Sequence, residues 1–324
     1  MEQDILVSIN CITYNQENYI IDALDSFLMQ KTNFKYEILI HDDASTDRTP
    51  EVIKEYMKRY PDIIKPLFQT ENQYQKGVMV HLLNIDRAKG KYIANCEGDD
   101  YWTDPLKLQK QVDYMEKHPE CSLCVHAGFI VNTSKKVVSG SRPSKKNRNF
   151  SVEEVIEGDG GLFLTNSMFY RTKDTIDRPR YYEISPKLTD YPLVIYLSLQ
   201  GNVYYMNEFM SAYRVGDSTS WTSNNYLNIR KRIEHYSNLA EMLDCVNEMT
   251  DYKYENSITK MKQWSQITLL FEQGKFKEAK EYYPETYSKM TIRNKTVLFL
   301  NYYLPRVIEF LRSTKQRVII WKET

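Results

Sequence analysis

Four short apolar runs recur along the first two thirds of the chain, and stretches of helical periodicity fall between them. This alternation limits the possible fold more than any other feature. Residues 5–13, ILVSINCIT, are apolar almost throughout, the pattern of a strand buried on both faces. Ile20, Ala23, Leu24, Phe27 and Leu28 then recur at helical spacing. YEILIH (36–41), a run near 65–69 and KYIANC (91–96) repeat the strand signal. Helices are expected at 51–60, at 77–88 and from Asp104-Pro105 onward, with Thr49 and Pro50 as cap and first-turn proline of the first of these. Such βαβ alternation predicts an α/β fold, a parallel or mixed sheet covered by helices on both faces. Ligands of such sheets gather beyond the carboxyl ends of the strands.

Strand signals stop after about residue 224, so the sequence predicts an α/β domain over 1–224 and a helical region over 225–324. Helices are expected around 258–273 and at 276–283, and LFEQGKFKEAKEYY resembles one half of a helical-hairpin repeat. Residues 289–324 carry eight lysines and arginines against two glutamates, among large apolar side chains. Three uses are open for that segment: packing on the main domain, a homodimer interface, or docking on anionic lipid.

Composition narrows the partners. Lysine plus arginine equals aspartate plus glutamate at 43 each, which leaves no electrostatic footprint for nucleic acid. Five cysteines without framework spacing argue against a disulfide scaffold. Cys121 and Cys124 lie in CSLCVHAGFIV, which reads as a strand and sends their side chains to opposite faces. The start, MEQDILVSIN, lacks the apolar core of a secretory leader. No run approaches the roughly 20 apolar residues that a spanning helix needs. A cytoplasmic protein is expected, at most peripheral on the inner face of the membrane.

Three acidic clusters stand where these elements end or begin. Asp42-Asp43 follow YEILIH, Glu97-Gly98-Asp99-Asp100 follow KYIANC, and Asp190 precedes the apolar helix YPLVIYLSLQG. Aspartates cap helices and shape turns, which accounts for any one of them alone. Three at one end of a sheet are harder to explain, because packed carboxylates repel unless a cation or a donor separates them. Mn2+ or Mg2+ shared with a diphosphate supplies the separation, since these ions take oxygen ligands and keep only one or two protein carboxylates. Neither GxxxxGK[ST] nor GxGxxG occurs, so no glycine-rich loop cradles the phosphates.

ILVSINCITYNQENYI, YEILIHDDASTDRT and AKGKYIANCEGDDYWTDPLKL, in that order, resemble the family-2 glycosyltransferases of GT-A fold over roughly residues 4–220. The resemblance implies an inverting, metal-dependent hexosyltransferase that moves a sugar from a nucleotide-diphosphate donor to a glycan or lipid-linked acceptor in polysaccharide assembly. It implies that Thr13, Tyr14 and Asn15 hold the nucleotide, with Tyr14 stacking on the base. It assigns Asp43 to the pyrimidine imide N–H, which favours UDP or dTDP. In the family's DxD motif it makes Asp100 the metal ligand and Asp99 its neighbour facing the ribose or the metal. Glu97 stands where the family has its first aspartate. Asp190 matches the general base, with Glu183 and Asp217 as its substitutes. Arg214 is expected near the diphosphate, Asp217 as an extra metal ligand, and loop 214–224 as a lid. His81 and His126 read as packed or surface histidines. The rival readings are a silent scaffold of the same fold and a sugar-nucleotide pyrophosphorylase.

Overall fold

The structure, a computed structural model, describes residues 4–184, 188, 190–216 and 229–303. It divides into two units, Met1–Asp217 and Ser218–Thr324.

The first unit is built on one mixed sheet. β1 (Ile5–Thr13) lies between β2 (Lys35–Asp42) and β4 (Tyr92–Asn95), and β3 (Ile64–Phe68) lies beyond β2; all four run parallel. The helices α1 (Ile20–Leu28), α2 (Thr49–Arg59) and α3 (Val80–Ile85) connect them. β5 (Tyr101–Trp102), α4 (Lys107–Lys117), β6 (Cys121–Asn132), β7 (Val137–Ser141), β8 (Arg148–Phe150), α5 (Val152–Glu157) and β9 (Phe169–Arg171) follow. After α6 (Tyr181–Ile184) and α7 (Asp190–Gln200), β10 (Asn202–Val215) runs parallel to β6. The order along the sheet is β3-β2-β1-β4-β9-β6-β10-β5, with β9 antiparallel to both β4 and β6.

β1 carries apolar Val7, Ile9 and Cys11 on one face, all fully buried. Ser8 and Asn10 on the other face are buried as well, so they need partners. Ser8 Oγ donates to Glu37 Oε1 at 2.7 Å, and Asn10 Oδ1 accepts from Asn84 Nδ2 at 3.0 Å. Asn84 Nδ2 also reaches the carbonyls of Cys11 and Leu39, which ties α3 across the two central strands. Cys121 and Cys124 are both buried in β6 as free thiols.

Two details differ from the sequence reading. α3 is shorter than the expected 77–88. Thr49 is the first residue of α2 rather than its cap, and its Oγ1 accepts the Gln16 main-chain N–H at 2.9 Å. The hydroxyl holds the loop after β1 instead of closing its own helix.

The second unit is helical, with helices Ile229–Met249, Glu255–Glu272, Phe276–Tyr282, Pro284–Lys289 and Ile292–Tyr303. The sequence QGK ends the second of these. Gly274 takes φ 74, and Lys275 N–H donates to the Leu270 carbonyl at 2.8 Å, a six-residue closure that glycine allows without strain. Ile267, Phe271, Ala279 and Met290 form one buried apolar cluster of this unit. Among the described residues no helix is long and apolar enough to cross a membrane. The basic segment beyond residue 303 lies outside them.

Candidate active site

Main-chain bonds at the carboxyl ends of β2, β1 and β4 bring two acidic clusters to either side of Thr13. Thr13 pairs with Asp42 across the strands, and its carbonyl accepts the Asp43 N–H at 3.0 Å. On the other side Gly98 N–H donates to the Ile12 carbonyl at 2.9 Å. A Cβ at Gly98 would lie 2.5 Å from Gln16 Oε1 and 2.8 Å from Thr13 Oγ1, so glycine alone fits there.

The loops after β1 and β2 are stitched together. Asn15 N–H donates to Ser45 Oγ at 2.9 Å, and Thr46 N–H donates to Asn15 Oδ1 at 2.7 Å. Asn15 and Ala44 hold left-handed φ values of 52 and 62. At Ala44 the steric cost is roughly 1–2 kcal/mol, offset by this network. Thr13 is buried against Gln16, while Tyr14 stands 41% exposed, the ring in this loop open to a ligand.

Asp43 is buried and held from three directions. Its Oδ1 accepts from Gln73 N–H at 2.8 Å and from His41 Nε2 at 3.2 Å; its Oδ2 accepts from Tyr74 N–H at 3.0 Å. Burial holds the His41 imidazole below its usual pKa, so the neutral ring donates through Nε2 to a carboxylate that can only accept. Asp42 points elsewhere, taking the Ser45 hydroxyl at 2.5 Å, and burial raises its pKa.

The second cluster separates into two kinds of carboxylate. Asp100 is 1% exposed, and both its oxygens are occupied: Oδ1 accepts Arg214 N–H and Oδ2 accepts Asn166 Nδ2, each at 2.8 Å. Glu97 and Asp99 are half-buried. Burial, followed by Asp190, Asp99 and Asp100, drives the Glu97 carboxyl well above its ordinary range. Burial and then Asp99 do the same to Asp100, against the two hydrogen bonds. Asp190, the first residue of α7, is half-buried and accepts Thr165 Oγ1 at 2.6 Å; burial raises its pKa against that bond.

This crowding of like charges is what a divalent cation relieves, and the donors are the hard oxygens that Mn2+ and Mg2+ prefer. Among the described residues no three acidic, histidine or cysteine side chains converge to form a complete metal cage. A Mn2+ or Mg2+ ion that keeps one or two protein carboxylates and completes its shell with diphosphate and water needs no such cage.

Asp100, expected to ligate the metal, is buried and accepts one protein hydrogen bond at each oxygen, which leaves a further lone pair on each. Arg214, expected at the diphosphate, is turned inward. Its guanidinium donates to the Asp99 carbonyl at 2.8 Å, to the Thr133 carbonyl at 3.2 Å and to Asp22 Oδ2 at 2.8 Å. It lies 4.5 Å from the Tyr19 ring centroid and 5.5 Å from that of Tyr101. His81 and His126 are buried, and burial holds His81 down to about 4. Asp217 and most of loop 214–224 lie outside the described residues, as does the side chain of Glu183. Thr165 and Asn166 were missed in the sequence. TNS between apolar neighbours is an ordinary turn signal, and only the fold brings these residues to the carboxylates.

The mixed α/β sheet flanked by helices matches the GT-A fold of the solved glycosyltransferase structures that resemble it. Residues 8–175 match the family described as Glycosyl transferase family 2, and the chain belongs to that family. Rv1520 of Mycobacterium tuberculosis, an uncharacterised protein, is 38% identical over 220 residues. That match covers 67% of this chain and 61% of Rv1520, less than two thirds of the relative's length. Among solved structures, S. aureus TarS 1–349 in complex with UDP-GlcNAc gives a TM-score of 0.56 at 16% identity, covering 92% of this chain and 79% of that one. The mannosyltransferase PcManGT of Pyrobaculum calidifontis, in complex with GDP-Man and Mn2+, gives 0.53 at 13% identity, covering 100% and 92%. At these identities the likeness is one of fold.

Proposed function

We propose that the chain is an inverting, Mn2+- or Mg2+-dependent hexosyltransferase that moves a sugar from a UDP or dTDP donor to a hydroxyl of a glycan or lipid-linked acceptor. The observation that carries the reading is the gathering of Asp43, Asp99 and the buried Asp100 beyond the ends of β2 and β4, the two strands that flank β1. The family match, and nucleotide sugars bound to two proteins of this fold, support it.

In this reading Tyr14 stacks on the base, with Thr13 and Asn15 shaping its loop. Asp43 accepts the imide N–H, a charge-assisted bond that its three protein donors orient. Asp99 and Asp100 are the carboxylates that meet the cation and diphosphate, with Asp100 held from behind by the Arg214 N–H and Asn166 Nδ2. A bound cation would neutralise charge on the departing diphosphate. The acceptor oxygen forms its bond to the anomeric carbon from the face opposite the nucleotide. The bond to the diphosphate oxygen breaks with its electron pair, and the hydroxyl proton passes to Asp190. A carboxylate whose pKa burial has raised is suited to that transfer, which contributes typically ~10²–10⁴-fold. Assembly of surface polysaccharide is the setting we infer. The basic segment 289–324 is the part proposed to meet an anionic membrane or a second copy of the chain.

Titration of UDP into the protein with and without Mn2+ tests the donor half. Binding that requires the cation and weakens at least tenfold in Asp99→Ala is expected. Equal affinity without metal, or in the variant, overturns the assignment, and no UDP binding at all favours a silent scaffold.

A further inference from the structure

One short turn touches both ends of the proposed reaction. The 3-10 turn Thr165–Ser167 precedes β9 and packs against β4, β6 and β10. With about three residues per turn, consecutive side chains of such a turn leave in directions about 120° apart. Thr165 Oγ1 reaches Asp190 Oδ2 at 2.6 Å, and Asn166 Nδ2 reaches Asp100 Oδ2 at 2.8 Å. Ser167 Oγ folds back onto the Leu164 carbonyl at 2.7 Å, closing the turn on itself.

Asn166 is fully buried and its amide has a single workable orientation. Its Nδ2 faces two acceptors, Asp100 Oδ2 and the Ala212 carbonyl at 3.1 Å, while its Oδ1 accepts Ser211 Oγ at 2.7 Å. A flipped amide would set its oxygen against both acceptors. Its carbonyl accepts Trp102 Nε1 at 3.0 Å. The turn is also fixed from behind, since Gln111 Nε2 donates to the Ser167 carbonyl at 3.0 Å and Asn95 N–H donates to the Met168 carbonyl at 3.1 Å. The anchorage on β4 matters because Glu97–Asp100 begin two residues after that strand ends.

We propose that this turn is the positioning device that sets the base against the donor site. Thr165 fixes the carboxylate of Asp190, and Asn166 fixes the acidic motif through Asp100. The proposal rests on the reading of Asp190 as the base and of the Glu97–Asp100 motif as the donor end. It adds a division of labour between neighbouring side chains. Thr165 acts on turnover and Asn166 acts on binding of nucleotide with metal, although one peptide bond separates them.

The test measures two quantities in each variant: affinity for UDP with Mn2+ by titration calorimetry, and kcat and KM for UDP release from whichever of UDP-glucose, UDP-galactose and UDP-GlcNAc the wild type consumes fastest. Thr165→Val keeps the shape and loses the donor. Its UDP–Mn2+ affinity and donor KM should stay within about twofold while kcat falls roughly 10–100-fold, and Thr165→Ser should restore most of kcat. Asn166→Asp is nearly isosteric and sets a carboxylate against Asp100. Its UDP–Mn2+ affinity should fall at least tenfold. Should that variant fail to fold, Ser211→Ala, which frees the amide oxygen, should weaken UDP–Mn2+ binding in the same sense. Asp190→Asn is the control. If it keeps wild-type kcat, the assignment of the base fails. If it is inactive while Thr165→Val matches wild type, or if Thr165 and Asn166 variants lose the same quantity, the positioning role is wrong.

Discussion

The main-chain N–H of Arg214 donates to Oδ1 of Asp100 at 2.8 Å, locking the end of β10 to the acidic motif that follows β4. The carboxylate is 1% exposed, so its removal leaves two buried donors unsatisfied, at about 1–3 kcal/mol each. Asp100→Ala should therefore lower the unfolding free energy by at least about 2 kcal/mol. Asp99→Ala, at a half-buried position, should leave the melting temperature nearly unchanged. Thermal unfolding of the two variants side by side checks this, and an unaltered Asp100→Ala protein would mean that these two bonds contribute nothing to stability.

Arg214 supports the same motif through its side chain. Arg214→Met leaves the Asp99 and Thr133 carbonyls and Asp22 without this donor. Hydrogen bonds to a charged partner are each worth about 1.5–3 kcal/mol, so a loss of roughly 3 kcal/mol is expected. Arg214→Lys should recover only part of it, because an ammonium group cannot span acceptors set for a planar fork. Chemical denaturation of both variants measures the difference. Loss of UDP affinity at full stability would instead support direct contact with the donor.

The strands that frame the site were legible because β1, β2 and β4 are buried on both faces and carry near-continuous apolar runs. The acidic clusters were legible as types at the ends of those runs. Which of two adjacent aspartates turns inward was not legible, since Asp99 and Asp100 differ only in what surrounds them once β10 lies alongside. Arg214, expected near the diphosphate, reads as a ligand contact until its three acceptors are seen. Asn166 had no signature at all. Its partners Asp100 and Ser211 lie 66 and 45 residues away in sequence, and a three-residue polar turn between apolar neighbours has no period. The expected role of Thr49 as a cap failed because a nearby loop used the same hydroxyl.

Lys107 gives a pH dependence. It is fully buried over the Trp102 ring at 4.1 Å, donates to Gln111 Oε1 at 2.8 Å, and is held down to about 7 by burial. Between pH 7 and the unfolded value near 10.5 the unfolded chain binds a proton that the folded chain refuses. The lysine therefore destabilises the fold as pH drops through that window, and the penalty is complete below about 7. Lys107→Met removes it. The stability of the variant relative to wild type should be a few kcal/mol more favourable at pH 7 than at pH 10. Urea denaturation at the two pH values reads the difference, and a gap independent of pH would mean that Lys107 stays protonated throughout.

The most direct test of the proposed transfer is turnover of a nucleotide sugar. UDP- and dTDP-hexoses are offered with Mn2+ to the wild type and to Asp190→Asn, and release of nucleoside diphosphate is followed together with the anomeric configuration of the product. The wild type should release diphosphate from at least one donor with inversion. Asp190→Asn should bind the same donor with unchanged affinity and turn it over ~10²–10⁴-fold more slowly. Retention of configuration, or wild-type turnover in Asp190→Asn, would contradict the account.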